Sequence, residues 1–115
     1  MQIIKTYPEE LSKKQTYDLT MSPKIRKMKD AKGGTIDVAA WCLYKDADKD
    51  GGELRTVLSI LTPEGEILAT NSPTFQADFA AMCDLFGDGG VDRLEIISGQ
   101  SKAGREFITC AYAGD

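Results

Sequence analysis

The chain has 115 residues, 42% hydrophobic and 28% charged, the balance of one globular domain long enough to bury a core without disulfides or metals. No run approaches the ~18 apolar residues of a membrane span, and the N-terminus carries no signal-peptide pattern, so no membrane role and a cytoplasmic location are expected. Histidine is absent, which removes the commonest general base and a frequent metal ligand. A binding protein, with no catalytic residue, no cofactor and no metal, is expected rather than an enzyme.

The net charge of −4 is unevenly spread. Residues 1–34 carry eight Lys/Arg against four Asp/Glu, and residues 35–115 carry six against fourteen. An acidic total argues against bulk attraction to nucleic acid, but the local field matters more than the sum. Cys42, Cys83 and Cys110 are far apart and form no Cys-x-x-Cys pair. They read as buried, reduced thiols acting as small hydrophobes.

Residues 1–11 read as an arm with room for a short strand at 2–5. Residues 15–21 (QTYDLTM) alternate enough for a strand, with Tyr17 and Leu19 on one side. Ser22-Pro23 resembles a helix cap followed by a first-turn proline. It predicts a short helix over 24–30 with Ile25 and Met28 inward and Lys24, Arg26, Lys27 and Lys29 outward. Residues 1–34 thus form a basic arm and short helix that precede a barrel spanning 35–115.

Residues 35–45 (TIDVAAWCLYK) are the first strong strand, apolar on both faces, as expected if one face lines a core and the other is covered or binds something. Residues 46–52 (DADKDGG) form a turn, 53–61 a second strand, 62–65 a tight turn with Pro63 and Gly65, and 66–70 a third strand. Then comes the one convincing long helix, within 71–87. Ser72 suits its N-cap, Pro73 its first position and Gly87 its end. Phe75, Phe79, Met82 and Phe86 recur on one face. Residues 92–98 and 105–113 are the last two strands, joined by a turn at 99–104.

The order β-β-β-α-β-β, mainly β with one main helix, is that of an OB-fold, a five-stranded partly open Greek-key barrel. The helix would plug its base.

Four groups of residues carry chemistry. The acidic loop from Asp46 matches the first half of a calcium-binding EF-hand loop, but position twelve is Val57 rather than Glu and position eight is Glu53. A solvated hairpin tip is the better reading, and a magnesium-dependent nuclease has no second acidic cluster to support it. Trp41, Tyr44, Arg55, Phe107 and Tyr112 are candidates for stacking on bases, since every base offers a π-face. Trp41 with Arg55 is the favoured pair. Phe107 is open between groove and core, and Tyr112 lies on the opposite face from it. Lys102 and Arg105 stand at a turn that in OB-folds frames the ligand groove. Lys24, Arg26 and Lys27 belong to a basic run that either tracks phosphates or is a solvated face.

Three stretches, YDLTMSPKIRKM, VLSILTPEGEILATNSPTF and SKAGREFITCAYA, resemble small single-stranded DNA-binding proteins of phages and mobile elements of low-GC Gram-positive bacteria. The resemblance spans Tyr17 to Ala113. It implies an OB-fold and sequence-tolerant binding of single-stranded DNA, with RNA as a related ligand. It also implies a role in DNA replication or recombination beside proteins of those processes, and it puts Lys102 and Arg105 at the groove edge. The better-known bacterial proteins of this kind end in a long acidic tail that recruits partners and form tetramers. The sequence here ends at Ala113-Gly114-Asp115, so neither property is carried over, although a homo-oligomer stays open. An OB-like module that binds a basic protein partner instead is the alternative reading.

Overall fold

The computed structural model describes residues 1–47 and 52–115. The fold is mainly β, with eight strands in two sheets and two α-helices among the described residues. Strands β1 (Gln2–Tyr7), β4 (Ala40–Ala47), β5 (Leu54–Leu61), β6 (Ile67–Thr70) and β2 (Arg26–Lys27) form the first sheet, in the spatial order β1-β4-β5-β6-β2. Strands β3 (Thr35–Asp37), β7 (Arg93–Gln100) and β8 (Glu106–Tyr112) form the second. Among the described residues no helix is long and apolar enough to cross a membrane.

Residues 15–21, expected as a strand, are helical. Helix α1 spans Lys13–Thr20. Ser12 and Gln15 decide this locally: the Gln15 amide donates to Ser12 Oγ and the Ser12 amide donates to Gln15 Oε1, each at 3.0 Å. Two free donors of the first turn are satisfied reciprocally by this capping box. The alternation of Tyr17 and Leu19 is coincidental, since Leu19 is fully buried and Tyr17 is exposed.

The short helix expected over 24–30 is also replaced. Ser22 Oγ accepts from the Lys24 amide at 3.1 Å, which makes a local turn instead of a helix cap. Arg26 and Lys27 then pair in parallel with Leu68 and Ala69 of β6, and a 3₁₀ turn follows at Met28–Ala31. Ile25 and Met28 both face inward, but into different layers of the molecule.

The long strand expected over 35–45 is broken in two. Thr35–Asp37 pair with β7, and Ala40–Ala47 pair with β5. At the break, the Val38 amide donates to the Asp92 carbonyl and the next amide, Ala39, donates to the Leu61 carbonyl, each at 2.8 Å. One continuous segment is thereby handed from one sheet to the other.

Both faces of β4 are covered. Trp41 belongs to the main core between the sheets, with Leu58, Ile60, Leu68, Leu94 and Ile96. Ala40, Cys42 and Tyr44 point the other way, where Leu19 of α1 packs with Ile67. Burying such a leucine is worth roughly 1.5–3 kcal/mol, so α1 is a second layer of the fold.

Helix α2 (Pro73–Phe86) is as expected at both ends. Ser72 Oγ accepts from the Phe75 amide at 3.3 Å, Pro73 opens the helix, and Gly87 ends it at φ 86°. Its buried stripe is Phe75, Phe79 and Cys83, with Met82 half-buried. Phe86, expected on that stripe, is 46% exposed and rests on the ring of Tyr112, 4.9 Å between centroids.

A closed five-stranded barrel does not form among the described residues. The outer edge of β6 is taken by β2. The facing edge of β8 is met by side chains instead of a strand: Ser72 and Thr74 hydroxyls donate to the Ile108 carbonyl at 3.0 and 2.9 Å. A seam is left between the two sheets on this side.

Candidate nucleic-acid interface

A groove of about 650 Å³ lies along the seam. This is within the ~300–1,000 Å³ range of ordinary ligand sites. One wall is β2 and the 3₁₀ turn, with Lys27, Met28 and Lys29; the other is β8, with Glu106, Phe107 and Ile108. Arg55 and Val57 of β5, Ala69 of β6, and Asn71 to Pro73 at the start of α2 complete it. A shallower pocket of about 430 Å³ adjoins it, sharing Arg55, Asn71 and Pro73 and adding Gln76. Gln76 is held by its side-chain amide, which donates to the carbonyls of Thr56 and Thr70 at 2.8 and 3.1 Å.

Phe107 is half-buried and sits directly across from Gly99 in the β7–β8 register. A β-carbon at Gly99 would meet the Phe107 ring at 2.8–3.3 Å. The ring therefore lies across bare glycine backbone, and it also lines the groove.

The cations differ in their engagement. Arg26 is paired with Glu66 at 2.9 Å, and Lys32 with Glu106 at 2.7 Å. Lys24, Lys27, Lys29, Lys102 and Arg105 are exposed and make no ion pair among the described residues. Lys32, first through its hydrogen bond and then through its charge, with help from the charge of Lys29, holds the Glu106 carboxyl below the usual carboxylate value.

Of the residues expected to bind, Lys27, Arg55 and Phe107 line the groove together. Lys102 and Arg105 lie on the exposed turn that joins β7 to β8 and do not line it. Lys24 and Arg26 stand outside it as well.

Trp41 and Tyr44 have to be corrected. Trp41 is 3% exposed, meets Phe79 edge to face at 5.3 Å, and donates from Nε1 to the Asp88 carbonyl at 3.1 Å. Tyr44 is 5% exposed beneath α1, where burial raises its phenol pKa. Neither ring has a face open to a base. Tyr112 is half-buried, with its hydroxyl donating to Asp92 Oδ1 at 2.8 Å, and is no part of the groove.

Asn71 and Glu106 are groove residues to which the sequence assigns no binding part, and Lys29 is singled out there only as one member of the basic run. Lys29 stands in the basic run, but assigning that run to a helix hides which of its members face one wall. Asn71 precedes a helix cap, and that local role masks its place at the groove.

Residues 48–51 of the acidic loop lie outside the described residues. Among the described residues no group of three or more His, Cys, Asp or Glu could hold a metal ion. Comparison with models of protein families, with curated proteins and with solved structures finds no match.

Proposed function

We propose that the chain binds single-stranded DNA in the seam groove without strong sequence preference, and does so without catalysis. The observation that carries this reading is Phe107 lying across Gly99, beside Lys27, Lys29 and Arg55 on one groove. An aromatic ring supported on one side by backbone suits stacking on any base, and neighbouring cations suit the phosphates between bases. In this reading the fold is an opened OB-type barrel. The segment 35–47 serves both sheets, and α2 stands between β6 and β7 in the chain, as the helix between the third and fourth strands does in that fold. A role in replication or recombination of a phage or mobile element, in the cytoplasm and with partner proteins, goes with this reading.

The test is fluorescence anisotropy of labelled thirty-nucleotide oligo(dT), with wild-type protein and Phe107→Ala. Stacking is worth ~1–3 kcal/mol per base, so the variant is expected to bind roughly 5- to 150-fold more weakly. Equal affinity of a folded Phe107→Ala overturns the proposed groove.

A second reading, a protein-binding module, draws on Leu85 and Phe86, adjacent and exposed at the end of α2. No binding of oligo(dT) at low salt, together with a purified partner whose binding is lost in Leu85→Ser, favours it over the first.

A further inference from the structure

Glu106 is the only carboxylate among the described residues that line the groove, and it sits among cations. Its Oε1 accepts from Lys32 Nζ at 2.7 Å, and the charge of Lys29 also acts on it. The contact links sequence positions 74 apart. Lys32 follows the 3₁₀ turn, and the next residues are anchored on β7: the Gly33 amide donates to the Ile96 carbonyl at 2.7 Å and the Ile96 amide to the Gly34 carbonyl at 2.9 Å. The backbone that carries Lys32 is thus fixed, and its side chain reaches an oxyanion at the groove wall.

We propose that Lys29 and Lys32 form a phosphodiester subsite of the groove, and that in the free protein the Glu106 carboxylate occupies it as an internal stand-in for phosphate. This rests on the single-stranded DNA reading above. A carboxylate and a phosphodiester each present anionic oxygens to an ammonium group, so one replaces the other on Lys32 without new geometry. Both partners of the pair are half-exposed, 50% and 51%, so the pair is screened and weak. An incoming phosphate displaces Glu106, and once displaced the carboxylate repels the strand. The consequence is a built-in limit on affinity, which keeps binding reversible along a strand.

The test uses Glu106→Gln, Lys32→Ala and the double variant, on labelled oligo(dT) and on an abasic deoxyribose-phosphate strand of equal length, over a salt series. Glu106→Gln is expected to bind about fivefold more tightly, the scale of one exposed charge pair, and equally so on both strands because the subsite reads phosphate alone. Its salt slope is expected to steepen by up to about 0.7, because in wild type the displaced Glu106 carboxylate takes up a cation that offsets the one released at that phosphate. Lys32→Ala is expected to weaken binding, and the gain from Glu106→Gln should vanish in its background. Wild-type binding with no gain in Glu106→Gln, or with Lys32→Ala unchanged, overturns the subsite and leaves the groove standing. Failure of wild type and Glu106→Gln alike to bind either strand at low salt overturns both.

Discussion

Phe107 and Gly99 face each other across β7 and β8, with the phenyl ring so close to the glycine that a β-carbon there would lie 2.8 Å from its Cζ. The glycine is what lets the ring lie down on the sheet. Gly99→Ala is therefore expected to tilt the ring away while leaving the strand pairing intact. The atoms a new β-carbon would meet are the far end of a half-buried side chain and not backbone, so the fold should lose little stability. Affinity for oligo(dT) should fall in the same direction as in Phe107→Ala, measured by anisotropy beside a thermal melt. A Gly99→Ala protein that melts and binds as wild type removes the link between ring position and binding.

Lys27 and Lys29 on the groove wall, without an ion pair among the described residues, give a prediction about salt. Lys27→Ala and Lys29→Ala should each reduce the slope of log affinity against log salt by about 0.7. Lys24→Ala, outside the groove, should leave the slope unchanged. A slope that responds equally to all three would mean diffuse attraction and not a tracked phosphate path.

Trp41 serves as a stability probe. Trp41→Ala is expected to cost about 3–5 kcal/mol, since a large ring leaves a cavity in the main core and the Asp88 carbonyl loses its donor. Urea denaturation measures the loss. Trp41 emission should be that of a buried indole and should respond little to oligo(dT). Strong quenching on DNA addition would place the ring nearer the ligand than its burial allows.

Leu19 tests whether α1 belongs to the fold. Leu19→Ala should cost about 2–5 kcal/mol, and Ser12→Ala, which removes one half of the capping box, about 1 kcal/mol. A helix that merely lay on the surface would tolerate Leu19→Ala with almost no shift in the unfolding midpoint.

The thiols predict a pH dependence. Burial pushes Cys42 and Cys83 up to about 11 and Cys110 up to about 12. Above the ordinary thiol value of 9.0 the unfolded chain releases these protons while the folded chain still holds them. Stability from this source is complete below that value and declines as pH rises toward 11–12. Denaturation midpoints measured from pH 8 to 10.5 should fall accordingly. At pH 8 the native protein should resist thiol reagents, and the unfolded chain should react at all three positions.

The parts of the fold that were legible are those written in short range. Ser72-Pro73 and Gly87 mark α2 because caps and the first turn are decided by adjacent residues. Ser12 and Gln15 mark α1 in the same way, but the Tyr17–Leu19 alternation competes with that signal and points to a strand. The break at Val38-Ala39 has no glycine or proline to announce it. Its cause is the pair of carbonyls waiting at Asp92 and Leu61, far away in the chain. Trp41 and Tyr44 mislead for a related reason. Alternation shows that β4 has two apolar faces, but only the tertiary arrangement shows that α1 closes one and α2 with the second sheet closes the other. Lys27, Arg55 and Phe107 stand out as candidates by residue type alone. Their meeting on one groove depends on β2 taking the edge of β6, which no local pattern encodes.

Handing one segment between two sheets makes the molecule a book rather than a tube. Its spine is the main chain at Val38-Ala39, where ladder bonds run to both covers. Its fore-edge is closed by two side chains, Ser72 and Thr74, on the Ile108 carbonyl. Single substitutions at Ser72 or Thr74 are expected to reset the gap between the covers while the backbone ladders stay in register. Evolution of such a protein can retune what fits between the pages without rewriting the binding.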